Sequence, residues 1–142
     1  MLYSAIDGHV GIGRRTMPFE NIFLVLPLIL HAPTRAILPK QVGSPFQSWV
    51  STNPTVRVGF ADRIRAATPI TREALIYMMT RDCIKIEGGA INLGTKRPKM
   101  ASKKIMSVSD IRGSLQAAAM LGRLLAGAGT SATIYTALGI TP

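Results

Sequence analysis

The sequence predicts a mainly α fold of the α+β class: a winged-helix-like helical domain with one β-hairpin and a long C-terminal helix. Three observations predict it. The run ENIFLVLPLILHAPTRAILP holds nine consecutive apolar residues, Ile22 to Leu30, with Pro27 inside. The segment CIKIEGGAINL alternates apolar and polar residues around a Gly-Gly pair. Beyond Ser107 the spacing returns to helical, with small residues frequent along it.

The apolar run is about half of the ~20 residues a helix needs to cross a bilayer, so it reads as core. A helix-interior proline removes a backbone hydrogen bond and crowds the preceding turn. The run is therefore expected as a kinked buried helix or as two short helices meeting at Pro27. His31 follows as a helix-end residue near free carbonyls.

Ser44-Pro45 and Asn53-Pro54 each set a capping residue before a proline suited to the first helical turn. The first should open a helix carrying Phe46, Trp49 and Val50, with Trp49 in the core. The second should carry Val56, Phe60 and Ile64 and stop near Thr68-Pro69, because a residue before proline is pushed out of the helical region. A further helix capped by Thr71, with Ile70 and Leu75 as its hydrophobic staple, should bury Ala74, Leu75, Met78 and Met79. Met100 reads as packing too.

Gly88-Gly89 supplies the positive φ of a two-residue hairpin turn. Pairing outward sets Glu87 opposite Ala90, Ile86 opposite Ile91, Lys85 opposite Asn92 and Ile84 opposite Leu93. That register puts every apolar side chain but Ala90 on one face and the charges on the other. Ser107, with Asp110 three residues on, should open a helix to about Ala126. Its Gly113, Ala117, Ala118, Ala119, Gly122 and Ala126 call for close contact with another helix, in this chain or a partner's. Gly127 and Gly129 end it, and Thr130 or Ser131 caps a last helix through Ile134 and Leu138. One domain over residues 1–142 accommodates all of this: a winged-helix-like part at about 19–93, a basic connector at 94–106 and C-terminal helices at 107–142.

The chain carries 17 Lys+Arg against seven Asp+Glu, a net charge of +10. Such an excess predicts attraction to polyanions or to an acidic protein face. Lys96, Arg97, Lys99, Lys103 and Lys104 put five cations into nine residues without an acid. Three readings stay open for them: phosphate contacts, an acidic patch on a partner, or a solvated loop. Arg57, Arg63 and Arg65 are further candidates for partner contact.

Candidates for catalysis are few. The glycines of GHVGIG are out of order for a dinucleotide fingerprint and read as a plain turn. His9 and His31 lack companions at metal-ligand spacing. The single cysteine, Cys83, excludes an internal disulfide and reads as a buried thiol. No catalytic residue, cofactor or metal is expected, and no enzyme. Without a leader signature the cytoplasm is the expected compartment.

Taken in order, FLVLPLILHAPTRAILP, SPFQSWV, VGFADRI and PITREALIYMM, with the closing LGRLLAGAGTSATIYTALGITP, resemble the middle component of bacterial three-component ABC-ATPase systems, the Lamassu-type anti-phage systems among them. The similarity covers most of 19–142. It implies a non-enzymatic adaptor between an SMC-like or Rad50-like ATPase subunit and an effector subunit, often a nuclease. The adaptor would hold the effector quiet until foreign DNA engages the ATPase. DNA contact, direct or through the ATPase, is part of that expectation, and membrane contact is not. The alternative from the residues alone is a stand-alone winged-helix nucleic-acid-binding protein.

Overall fold

The computed structural model describes residues 1–13, 15–99 and 102–141, and of Ile105 the backbone only. Met100, Ala101 and Pro142, which fall in the packing, connector and closing-pattern readings above, lie outside the described residues.

Helix α1 (Leu2–Gly11) contains glycines that the sequence suggests as a turn, and the helix corrects that expectation. It buries Leu2, Ala5, Ile6, Gly8 and His9 and packs chiefly on the long C-terminal helix α7 (Ser109–Ala126). The two backbones touch. A Cβ on Gly8 would fall 2.2 Å from the Ala119 carbonyl oxygen, and one on Gly122 would fall 1.9 Å from that of Ala5. Close approach of this kind excludes every side chain, so Ala119 and Gly122 of α7 find their partner helix inside this chain, whereas Gly113 is exposed. Glycine's intrinsic helix cost of about 1 kcal/mol is outweighed by the packing it permits.

A two-residue strand, β1 (Met17–Pro18), follows and pairs antiparallel with β3 (Ala90–Leu93), which pairs in turn with β2 (Ile84–Glu87). The β2–β3 register is the expected one at all four pairs, and Gly88 and Gly89 take φ of 57° and 75°. Ile84 and Ile91 are buried, Ile86 and Leu93 partly so, while Lys85, Glu87 and Asn92 face solvent. Strand β1, unforeseen, covers the free edge of β3 and places a proline at a sheet edge, where its missing donor costs nothing.

The apolar run becomes a 3-10 helix (Phe19–Leu24) leading directly into α2 (Val25–Ile29). Pro27 sits in the first turn of α2, where amide donors lack intrahelical partners, so the chain turns after Ile29 and not at Pro27. The run lies at the centre: α2 touches α1, α7 and the later helix α5 (Phe60–Thr80), and Ile22, Leu24, Val25, Leu28 and Ile29 are fully buried. Leu30, at its end, is half exposed. His31 does not close α2; it precedes α3 (Ala32–Ala36), with Nδ1 2.8 Å from the Thr34 hydroxyl.

Helix α4 (Phe46–Thr52) buries Phe46, Trp49 and Val50 as expected, and the Trp49 indole donates to the Ile37 carbonyl at 2.8 Å. The next segment departs from expectation. Pro54–Arg57 is a short 3-10 helix, Gly59 turns left-handed at φ 63°, and α5 then runs unbroken over Phe60–Thr80. Pro69 lies inside α5. Thr68 and Thr71 sit in its interior, their hydroxyls donating back to the carbonyls of Ile64 (2.7 Å) and Ala67 (2.9 Å), so neither caps a helix. Proline's missing donor removes the usual amide partner of the Arg65 carbonyl, which belongs to an exposed residue. Ala67, Thr71, Leu75 and Met78 bury one side of α5, whereas Ile70 and Met79, expected inside, are exposed.

The connector ends in a short helix, α6 (Lys103–Met106), followed by α7. Ser107 caps nothing: its hydroxyl donates to the Lys104 carbonyl at 2.6 Å, and Val108 precedes the first turn of α7. Asp110 instead accepts from Arg35 at 2.6 Å, tying α3 to α7. Thr130 caps α8 (Ser131–Leu138) by accepting from the Thr133 amide at 3.3 Å, and the Tyr135 hydroxyl donates to the Glu20 carbonyl at 2.8 Å. Cys83 is buried and free. No helix of the described residues is long and apolar enough to cross a membrane.

Candidate interaction surfaces

Two surfaces stand out, one cationic and one apolar. The cationic one begins where the connector leaves the sheet. The turn between α5 and β2 places Asp82 at φ 54°, and its carbonyl accepts from the Lys96 amide at 3.0 Å while its carboxylate accepts from the Thr95 hydroxyl. That hydroxyl bond, with the charges of Lys85 and Lys96, holds the Asp82 carboxyl below its usual range. The root of the connector is thus fastened to the domain. Lys96, Arg97, Lys99, Lys103 and Lys104 are all exposed, and none forms an ion pair among the described residues. Arg97 passes near Tyr3 of α1, where its charge counteracts the rise that burial and Asp7 impose on the phenol. The first three cations stand on the connector and the last two on α6.

The three arginines near α5 separate into different roles. Arg57 is exposed on its 3-10 turn. Arg65 is exposed and paired with Asp62 one turn away, a surface pair of little energetic weight. Arg63 turns inward. Its guanidinium donates to the carbonyls of Val56 (2.6 Å), Val58 (3.3 Å) and Pro27 (3.4 Å) and to the Thr34 hydroxyl (3.2 Å), and it stacks 5.2 Å from the Phe60 ring centroid. Burial lowers its pKa, and its buried Nε has no hydrogen-bond partner. Arg63 is therefore a clamp between α5, α2 and α3, unlike the solvent-facing residue its sequence position suggests.

The apolar surface is a groove of about 320 Å³ between α2 and α5. Leu26, Pro27 and Ala67 are its buried floor; Leu30 and Ile70, 52% and 58% exposed, flank it. His31 and Arg63 line it as well and meet at the Thr34 hydroxyl. Arginine only donates, so Thr34 accepts from Arg63 and its own proton is free to reach His31 Nδ1. Desolvation and the neighbouring Arg63 charge lower the His31 pKa, which agrees with a neutral ring.

Sequence reasoning found the cations, because charge shows directly in composition, and missed the groove. Its signal was there: in one unbroken helix, Ile70 falls roughly a quarter turn from the middle of the Ala67–Thr71–Leu75–Met78 side, at its edge. Reading Pro69 as a stop hid it. No group of three or more His, Cys, Asp or Glu among the described residues is placed to hold a metal ion.

No curated protein and no solved structure matches this chain. A family model described as ABC-three component (ABC-3C) system Middle Component 3 matches residues 1–142, from α1 through the closing helix. The chain belongs to the family of middle components of ABC-three component systems.

Proposed function

We propose that this chain is a non-catalytic adaptor that links an SMC-like or Rad50-like ABC ATPase to an effector, a nuclease, in a cytoplasmic bacterial anti-phage or anti-plasmid defence complex of Lamassu type. The observation that carries this reading is the family match over the whole chain, since a middle component works among the other members of its system. The two surfaces support it in kind: an adaptor needs contact area on more than one side, and here a cationic segment and an apolar groove lie on different elements. Polar, exposed connector cations suit an acidic protein face or DNA brought in by the ATPase.

The test is copurification of the tagged chain expressed with its genomic neighbours, followed by mass spectrometry of what remains bound through moderate salt. Recovery of the ABC ATPase together with the effector, in the absence of DNA, is expected. A monomer with no affinity for either neighbour contradicts the adaptor reading.

The five unpaired exposed cations favour a second reading, a stand-alone winged-helix nucleic-acid binder. It requires that changing Lys96, Arg97, Lys99, Lys103 and Lys104 to Ala weakens DNA binding and flattens its salt dependence. The log–log slope should fall by roughly 0.9 for each phosphate that is no longer neutralised. Failure of the unaltered chain to bind DNA at low salt removes this reading.

A further inference from the structure

We infer that the α2–α5 groove is the docking site for an amphipathic helix of the ABC component of the same system, one that presents a bulky apolar side chain with a carboxylate one turn away. This rests on the adaptor reading and names the surface through which it acts.

Three observations carry the assignment. First, the groove is apolar and open. Leu30 and Ile70 keep more than half their surface in water although each stands beside a fully formed core. Apolar grooves flanked by a polar group are the usual seat for one face of an amphipathic helix. Second, the groove has a charge that nothing among the described residues balances. Arg63 lies in its lining with no carboxylate within ion-pair distance among the described residues, and no acid lines the groove. His31 beside it is disfavoured as a cation by desolvation and by that same charge. An acidic side chain arriving with the occupant adds the negative charge that Arg63 lacks, while the guanidinium keeps its hydrogen bonds to the oxygens of Val56, Val58, Pro27 and Thr34.

Third, the charge argues against a second copy of this chain as occupant. Two chains of net charge +10 would be brought together, and α5, which carries Arg63, Arg65 and Arg72 against Asp62 and Glu73, would bring its own cations to the contact. The occupant is therefore another protein, acidic where this one is basic. The family description names the system after its ABC component, and it is to that component that we assign the groove.

The experiment measures binding of the purified ABC component to the full-length chain by titration calorimetry, for the wild type, Ile70→Asp and Leu30→Asp. Both substitutions fall on exposed positions, and thermal unfolding of each variant checks that the fold is intact. An anchor residue at the centre of an interface typically accounts for 2 kcal/mol or more, so each variant is expected to weaken binding by about thirtyfold or more. Wild-type affinity in both variants overturns the groove while leaving the adaptor reading in place. Binding of the effector at this groove, abolished in Ile70→Asp while the ABC component still binds, overturns the partner assignment. So does a dimer of the isolated chain that Ile70→Asp dissociates. A wild-type chain that binds neither neighbour overturns the adaptor reading and the groove with it.

Discussion

Helices α5 and α7 are the two longest in the molecule, and they use their faces in opposite ways. Helix α7 turns Ala118 and Gly122 inward, and α1 fills that face until the backbones touch at Gly8–Ala119 and Ala5–Gly122. Helix α5 buries one side, Ala67, Thr71, Leu75 and Met78, and leaves Ile70, Ile76 and Tyr77 in water. The first contact is closed within the chain and serves stability. The second is left open, which is what a subunit built to join others requires. A small-residue face by itself therefore does not identify an intermolecular surface. An exposed large apolar residue next to an unbalanced charge does so better.

The largest effect expected from this contrast is at Gly122. Gly122→Ala drives a Cβ into the Ala5 carbonyl, backbone against backbone, and one helix must move. Overpacking of this kind typically costs 1–3 kcal/mol, and we expect about 3 kcal/mol in urea unfolding. Wild-type stability in this variant would mean that α1 and α7 are further apart than described.

His9, buried on α1 with Nδ1 lacking a partner, sharpens the same contact. Desolvation lowers its pKa in the folded state, opposed by a hydrogen bond that the ring donates to the Arg15 backbone. The imidazole is neutral in both states above ~6.5. Below that, the unfolded chain takes up a proton that the folded chain resists, so stability is lost as pH falls. His31 shifts in the same direction, so the informative comparison is with His9→Gln. Between about pH 7 and pH 5 the variant should lose less stability than the wild type, as read by denaturant midpoints at each pH.

Gly113→Ala is the control for Gly122. Nothing lies within 4 Å of the Cβ that would be added there, so only helix propensity changes. A gain of about 0.5–1 kcal/mol is expected in the same unfolding assay. The smallest effect belongs to Ile70→Asp: a half-exposed surface position should shift stability by no more than about 0.5 kcal/mol. A large loss would place Ile70 in the core and close the groove.

The parts of the fold that were legible in the sequence are those fixed by local chemistry. The hairpin register follows from Gly88-Gly89 and the alternation of Ile84, Ile86, Ile91 and Leu93. Trp49 and Phe46 mark α4, and Thr130 and Ala126 mark the limits of the last two helices. What failed was punctuation overridden by tertiary packing. Gly8 and Gly11 suggest a turn because glycine disfavours helices, yet Gly8 is in a helix because only it lets α7 approach. Pro69 suggests a stop, yet α5 continues because one missing hydrogen bond on an exposed side is outweighed by the buried Ala67–Met78 side. Strand β1 was beyond reach, since two residues carry no periodicity. Among the candidate site residues, exposure agrees for the five connector cations, while Arg63 proved an internal clamp. Its role depends on carbonyls of Pro27, Val56 and Val58 that no spacing rule brings together.

The most direct test of the open-groove account is hydrogen exchange on the full-length chain, alone and saturated with the ABC component, read peptide by peptide. New protection is expected over 26–31 and 63–77, the two sides of the groove, with α1 and α7 unchanged because their contact is already made. Protection confined to α1 and α7, with 63–77 exchanging as in the free chain, would contradict it.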